Sequence, residues 1–374
     1  MVNKKRLLKT FKKLISLDSQ NPPGDETKIA SFVSGYLKLL GLKVKTPTFK
    51  KNRVNVLATL ASKGAKKSLL LTPHLDTVPA GNSWKHSPWN AKIIGDKIFG
   101  LGSTDCKCNL ACLMEAVSVL VEKKIKLDYN LIFAATADEE SGSDLGLVPL
   151  LEKNILKADA AVVLDADDFE IVITQKGLMH LKVKIFGKKA HGAYPWLGIN
   201  AIDIAAAIIV DLKKQSKISA KNKYLHPPTV NVGTIHGGDK VNVVSGWCEF
   251  ELDFRFLPGS TEKELLNNLE ETIRKYTKNF KIEIQGIQDP YYIDPSHSLV
   301  SGLVLAMQNL KIKHRISGSE GATVITFFKK RNIPAVATGF GRQGCAHIAD
   351  EYASVKNLYN GARVLVEFLK NYKS

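Results

Sequence analysis

Four apolar runs of strand length, at 55–61, 68–72, 129–136 and 160–164, punctuate the first half of the chain. None alternates apolar with polar residues. A strand of that kind needs cover on both faces, so these runs suit the interior of a sheet flanked by helices. Helical spacing supplies the cover. The stretch 27–40 puts Ile29, Phe32, Val33, Tyr36 and Leu40 on one face, and Gly41 suits its end. The stretch NLACLMEAVSVLVEK, at 109–123, lies between two of the runs. The expected class is α/β with a mostly parallel sheet.

The middle of the chain reads differently. Met179, Leu181, Val183 and Ile185 alternate with His180, Lys182 and Lys184, as in a strand with one wet face. A helix at about 199–213 follows, then strands at 229–235 and 248–256 around the Gly237-Gly238 turn. A helix at 262–278 and a strand at 281–286 complete the order β-α-β-β-α-β, a ferredoxin-like module. The segment 291–297 returns the chain to α/β character, and a strand at 334–338 and a helix at 353–371 finish it. The expectation is therefore one α/β domain from 1–176 and 288–374, split by an inserted domain at 177–287.

The chain of 374 residues is 44% hydrophobic, enough for a large core. No apolar stretch reaches the length of a membrane span. The basic N-terminus spaces Leu7, Leu8, Phe11, Leu14 and Ile15 as a helix does, unlike a signal-peptide core. A soluble, cytoplasmic protein is expected. The five cysteines, odd in number, suit reduced thiols better than a disulfide framework; Cys106 and Cys108 do not have C-x-x-C spacing. The net charge of +17 comes mostly from scattered lysines, without the aromatic-interleaved arginines of a single-strand binder. A solvated basic surface is expected, with neither nucleic acid nor membrane as partner.

Acids and histidines gather where strands end. His74 and Asp76 close SLLLTPHLD, two apart on an extended segment, so both side chains point one way. His74 there is either a ligand backed by Asp76 or a structural histidine. Asp105 lies on a Gly-rich loop before a helix, where a cap is the ordinary reading. The strand NLIFAATA runs into Asp138-Glu139-Glu140. Three acids there repel one another unless a cation is near, or else form a solvated turn. Asp165 follows the strand AAVVL, and His347 follows a strand and a Gly-rich loop. Each has an ordinary explanation alone. Together they place N and O ligands along the edge of the sheet where ligands bind in α/β proteins.

These motifs resemble the M20 metallopeptidases, a family that includes acetylornithine deacetylase, succinyl-diaminopimelate desuccinylase, aminoacylase and glutamate carboxypeptidase. HLDTVP is similar to H-x-D-T-V-P, Asp105-Cys106-Lys107 to D-x-K, DEESG to D-E-E-S/T-G, and AHIADEY to H-x-x-x-E. KKAHGAYPWLGINAI resembles the lid segment. The resemblance implies a Zn-peptidase-like catalytic domain with an inserted lid and dimerisation domain. It implies two zinc ions, or cobalt or manganese in their place. Asp105 would bridge them, His74 and Asp165 would complete one site, and Glu140 and His347 the other. Glu139 would be the general base, and Asp76 would orient His74. His191 would stabilise the oxyanion, reaching across from a partner subunit in dimeric members. Asn242 and Arg255 would touch substrate, although Arg255 also suits a structural salt bridge and His191 a lid-surface position. The implied reaction is hydrolysis of an amide bond in a small N-acyl amino acid or a short peptide, by a homodimer paired through its lids.

Departures from the pattern bear on substrate. Pro73 precedes His74, Cys108-Asn109 replaces a glycine pair, and Ala166 follows Asp165 where deacylases have Glu-Pro. An Asp at 165 leans toward dipeptidases and aminopeptidases. SGSEGATVITFF replaces G-G-T-D-A-R, with Val324 at the Asp position and Glu320 as a new acid, expected to read a cationic substrate group. Two rivals differ in class. Gly339-Phe340-Gly341-Arg342-Gln343-Gly344 fits G-x-G-x-x-G, but a dinucleotide fold needs a βαβ unit after it and one helix remains. A non-catalytic binding protein on the same fold is expected to lack the base or a ligand, and none is missing.

Overall fold

The computed structural model describes residues 1–215 and 222–373. In chain order the elements begin with α1 (Lys4–Ile15), α2 (Thr27–Leu39), β1 (Lys43–Lys45), β2 (Val56–Leu60), β3 (Ser68–Thr72), β4 (Lys92–Ile94), β5 (Lys97–Phe99), α3 (Lys107–Glu122), β6 (Asn130–Ala135), α4 (Leu147–Glu152), β7 (Ala160–Val163) and β8 (Glu170–Gln175). They continue with β9 (Gly177–Phe186), α5 (Ala201–Gln215), β10 (Thr229–Gly237), β11 (Trp247–Phe256), α6 (Glu262–Arg274), β12 (Phe280–Gln288), β13 (Tyr291–Tyr292), α7 (Ser298–Asn309), β14 (Arg315–Ser319), α8 (Ile325–Lys329), β15 (Ala335–Thr338), β16 (Tyr352–Ser354) and α9 (Val355–Asn371). Two compact units result. One is Met1–Ile173, Ile293–Ser317 and Phe327–Ser374; the other is Thr174–Tyr292 and Gly318–Thr326.

The first unit is built on a sheet in the order β1-β2-β6-β3-β7-β15-β8. Its four central strands, β6, β3, β7 and β15, are parallel. The margins are antiparallel: β1 on β2, β2 on β6, and β8 on β15. The apolar runs are the reason for this arrangement. Leu69, Leu70, Leu71, Ala161, Val162 and Val336 lose all contact with solvent, which only a two-sided sandwich allows. Helix α3 is buried along every residue from Lys107 to Leu120, and it packs against α1 and α9. Helix α1 turns Leu7, Phe11, Leu14 and Ile15 inward, and Arg6 adds a 2.6 Å ion pair to buried Glu115 of α3. Strands β16, β5 and β4 form a separate small sheet.

The second unit has the antiparallel sheet order β10-β11-β9-β12, which is the ferredoxin-like arrangement. Met179, Leu181, Val183 and Ile185 are fully buried and share a core with Phe250, Leu252, Ala205, Ile208 and Ile273. Thr261 and Glu264 close a capping box at the start of α6. The stretch Gly318–Thr326, placed by its sequence position with the first domain, belongs to this unit instead. Its backbone explains why. Ser319 O accepts from Lys176 N at 3.1 Å, and Gln175 Oε1 accepts from Thr323 N and Oγ1 at 3.0 and 2.7 Å.

Candidate metal centre

Four parallel strands side by side have their carboxyl ends on one edge, and the loops leaving them carry the polar groups of the site. His74 leaves β3 and forms a parallel bridge with Thr136 beyond β6. Glu139 and Glu140 sit on a single 3-10 turn after β6, and Asp165 stands two residues past β7. Asp105 precedes α3 and His347 follows β15. The five residues expected as ligands all lie in the first unit.

Their atoms converge. His74 Nε2 is 2.8 Å from Asp105 Oδ1, and His347 Nε2 is 3.1 Å from Asp105 Oδ2 and 3.2 Å from Glu140 Oε2. Asp105 thus turns one carboxylate oxygen to each histidine. Potential ligand atoms lie within 4.8 Å of one another in three groups: His74, Glu139 and Asp165; Asp105, Glu140 and His347; and His74, Asp105 and Cys106. The third group has a different use. Cys106 Sγ accepts from His74 N at 3.1 Å and reaches His74 O at 3.5 Å, and burial pushes its thiol up to about 12. A protonated thiol holding the His74 backbone is the result.

The electrostatics show an uncompensated cluster of acids. Burial opposes ionisation of Asp105, yet hydrogen bonds from His347 and His74 hold its carboxyl below the usual range. Burial and then the charge of Asp105 push Asp165 up to about 7. Burial and then Asp165 push Glu139 well above its ordinary value. His347 rises to about 10 through its bonds to Asp105 and Glu140. Glu140 Oε1 is buried with no hydrogen-bond partner. Imidazole nitrogens beside carboxylates that repel one another, with one oxygen orphaned, form a donor set suited to divalent cations such as zinc.

Supporting residues tie the loops down, and several escaped the sequence reading. Glu351 accepts from the backbone N–H of Gly102, Thr104 and Asp105 at 2.9, 2.6 and 3.1 Å, so it shapes the loop that presents Asp105. Its position as the acid of H-x-x-x-E was the available signal. Asn109 Oδ1, where a glycine was expected, accepts from Phe340 N at 2.8 Å and fastens the loop after β15. Gly339 and Gly341 serve that loop too. A Cβ on Gly339 would lie 1.7 Å from Ala166 O, and one on Gly341 2.4 Å from Asp167 Oδ1. The G-x-G pattern therefore permits close packing onto the Asp165–Asp167 loop. Asp76 lies beside His74, whose Nδ1 is 3.0 Å from the carbonyl of Asp76 and 3.6 Å from its carboxylate. The carboxylate also accepts from Glu139 N and Glu140 N, at 3.1 and 3.2 Å.

The model of peptidase family M20/M25/M40 matches residues 70–371, a span that contains every one of these groups. The chain belongs to that family. As an M20-type protein it is a hydrolase of amide or peptide bonds. It is 29% identical to an acetylornithine deacetylase from Vibrio cholerae, over 96% of this chain and 94% of that one. Among solved structures, the aminopeptidase PepT from Bacillus cereus superposes with a TM-score of 0.83 at 23% identity, covering 99% of this chain and 98% of the other. A tripeptidase from Staphylococcus aureus superposes with a TM-score of 0.79 at 25% identity, with the same coverage.

The remaining expected residues of this M20 chain lie in the second unit. His191 pairs with Val243 in a β-bridge, and Asn242 O accepts from Gly192 N at 2.8 Å, so His191 and Asn242 stand on adjoining segments. Arg255 forks onto Asp253 at 2.8 and 3.0 Å, the salt bridge that was its alternative reading. Glu320 departs further from expectation. Its Oε2 is 2.6 Å from Nζ of buried Lys176, and its Oε1 accepts from His226 N at 2.9 Å. The acid expected to read a substrate cation already holds an internal one.

Proposed function

We propose that this chain hydrolyses the amide bond of a small N-acyl amino acid or short peptide with the help of two divalent metal ions, zinc in the first instance. His74 and Asp165 would hold one ion, Glu140 and His347 the other, and Asp105 both. The observation that carries the reading is Asp105 presenting one oxygen to each histidine. When bound, such ions polarise the scissile carbonyl and lower the pKa of the attacking water toward about 7. Glu139 takes the water's proton and delivers it to the leaving amine. Asp76 positions Glu139 and Glu140 through their backbone N–H groups. His191 and Asn242 act on the substrate from the lid. Asp165 favours the di- or tripeptide alternative over biosynthetic deacylation.

The lid also supports a homodimer: Tyr194, Trp196, Leu197 and Ile199 are exposed apolar side chains on its His191 segment. Among the described residues no helix is long and apolar enough to cross a membrane. The five unpaired cysteines favour the reducing cytoplasm. The test is to strip the protein with chelator and restore zinc, cobalt or manganese separately. It is then assayed on N-acetyl and N-succinyl amino acids beside dipeptides and tripeptides. Metal-dependent cleavage supports the reading, and the better half of the panel names the subclass. Metal binding without any cleavage points to a binding protein on this fold. Absence of metal binding ends the proposal.

A further inference from the structure

Behind the candidate centre lies a buried polar chain of which the reaction as described uses Asp76 alone. Arg53, Glu26, Asn21, Asp76 and Asp138 are each nine-tenths or more buried. Arg53 Nε donates to Glu26 Oε2 at 3.0 Å, and its Nη1 to Asn21 Oδ1 at 3.3 Å. Nη2 lies between two acids, 2.8 Å from Glu26 Oε1 and 2.9 Å from Asp138 Oδ1, as ion contacts not aligned as hydrogen bonds. Asn21 Nδ2 continues the chain to Asp76 Oδ2 at 2.9 Å and Asp138 Oδ1 at 3.3 Å. Asp76 then takes the backbone N–H groups of Glu139 and Glu140.

We propose that Arg53 is a positioning residue for Glu139 and Glu140, acting through Asp138 on one side and through Asn21 and Asp76 on the other. This deepens the two-metal reading and rests on it. Three observations carry the assignment. First, Asp138 has φ 68, left-handed backbone for a residue with a side chain, directly before Glu139. That conformation is over-determined: Arg53 meets Asp138 Oδ1, Leu145 N donates to Oδ2 at 2.9 Å, and Ser143 N donates to its carbonyl at 2.6 Å. Second, Glu26 occupies the N-cap of α2 yet its side chain caps nothing; it is spent on Arg53. A buried ion pair adds little net stability, so its use here is better sought in geometry. Third, the scaffold is shaped around the guanidinium: a Cβ on Gly24 would lie 2.0 Å from Arg53 Nη1.

The test compares Arg53→Met and Asn21→Leu with the wild type in the metal-loaded full chain. The readings are kcat, KM, zinc affinity by calorimetry and thermal unfolding. Displacement of the Glu139–Glu140 turn by a fraction of a turn's width is expected to lower kcat about 10²-fold with KM little changed. Zinc affinity is expected to fall about 10- to 100-fold. A lower melting temperature with wild-type kcat and zinc affinity in the folded fraction would mean a merely structural role and overturn the proposal. If Arg53→Met does not fold, Asn21→Leu decides by the same readings, since it leaves every charge in place. A wild type that neither binds zinc nor cleaves any amide removes the underlying reading and this inference with it. A wild type that does both, with variants that match it, removes this inference alone.

Discussion

Glu139 and Glu140 are neighbours in sequence with opposite surroundings. Glu140 Oε2 meets His347 at 3.2 Å, whereas Glu139 groups with His74 and Asp165 and is pushed well above the carboxylate range. Glu140, in contact with the His347 imidazole, is suited to ligation, and its neighbour Glu139 to proton transfer. Glu139→Gln is expected to lower kcat by about 10²–10⁴-fold, with zinc stoichiometry unchanged when measured by elemental analysis. Loss of metal along with activity would instead make Glu139 a ligand. At Glu26, burial outweighs the pull of Arg53 and raises the carboxyl from 4.5 to about 7. The folded state then holds a proton that the unfolded chain releases, so this group lowers stability as pH rises from 4.5 to about 7. The stability of the wild type minus that of Glu26→Gln should therefore fall across that window in denaturant titrations. A difference independent of pH would show that Glu26 ionises normally.

At the scale of elements, β15 and the loop beyond it are set by how closely they approach β7's loop. The 1.7 Å separation between a Cβ at position 339 and Ala166 O involves backbone, which no side-chain rotation relieves. Gly339→Ala must shift the segment that carries Asp165. Overpacking of this kind costs about 1–3 kcal/mol, and zinc affinity should fall by more than that change in stability accounts for. Calorimetric titration beside thermal unfolding separates the two; equal losses would mean that Asp165 is not held by this contact. Helix α3 makes the complementary point. Because it is buried from Lys107 to Leu120, its polar side chains reach other segments: Lys107 Nζ donates to Leu17 O at 2.9 Å, and Asn109 Oδ1 accepts from Phe340 N.

For the whole molecule, the cluster of acids in the centre stands against a chain whose net charge is +17. The five candidate ligands, carboxyl and imidazole groups held close together, carry a local cost that a bound cation would relieve. Metal should therefore stabilise the fold by mass action, by about 2.7 kcal/mol at a free concentration of 100 times Kd. The melting temperature should climb with zinc concentration and fall with chelator, and His347→Ala should flatten the response. A melting temperature indifferent to zinc in the wild type would separate the centre from folding.

Much of this was legible in the amino-acid order because it depends on local periodicity. Runs without alternation, such as Ser68–Thr72, require two-sided cover, and the alternation of Met179 to Ile185 requires one-sided cover. Acids placed directly after apolar strands mark the edge of a parallel sheet, so candidate ligands stood out at strand ends, and the resemblance to the M20 family implied their roles. What tertiary structure alone decided involves contacts between distant segments. No periodicity links Arg53 to Asp138, or Glu351 to the N–H groups of Gly102, Thr104 and Asp105, because side-chain hydrogen bonds across such separations leave no repeat in the chain. The same holds for Glu320. An acid in a Gly-rich segment reads as free until the fold brings Lys176 to 2.6 Å. Burial and distance, not residue type, decide whether such a charge faces a substrate or its own protein.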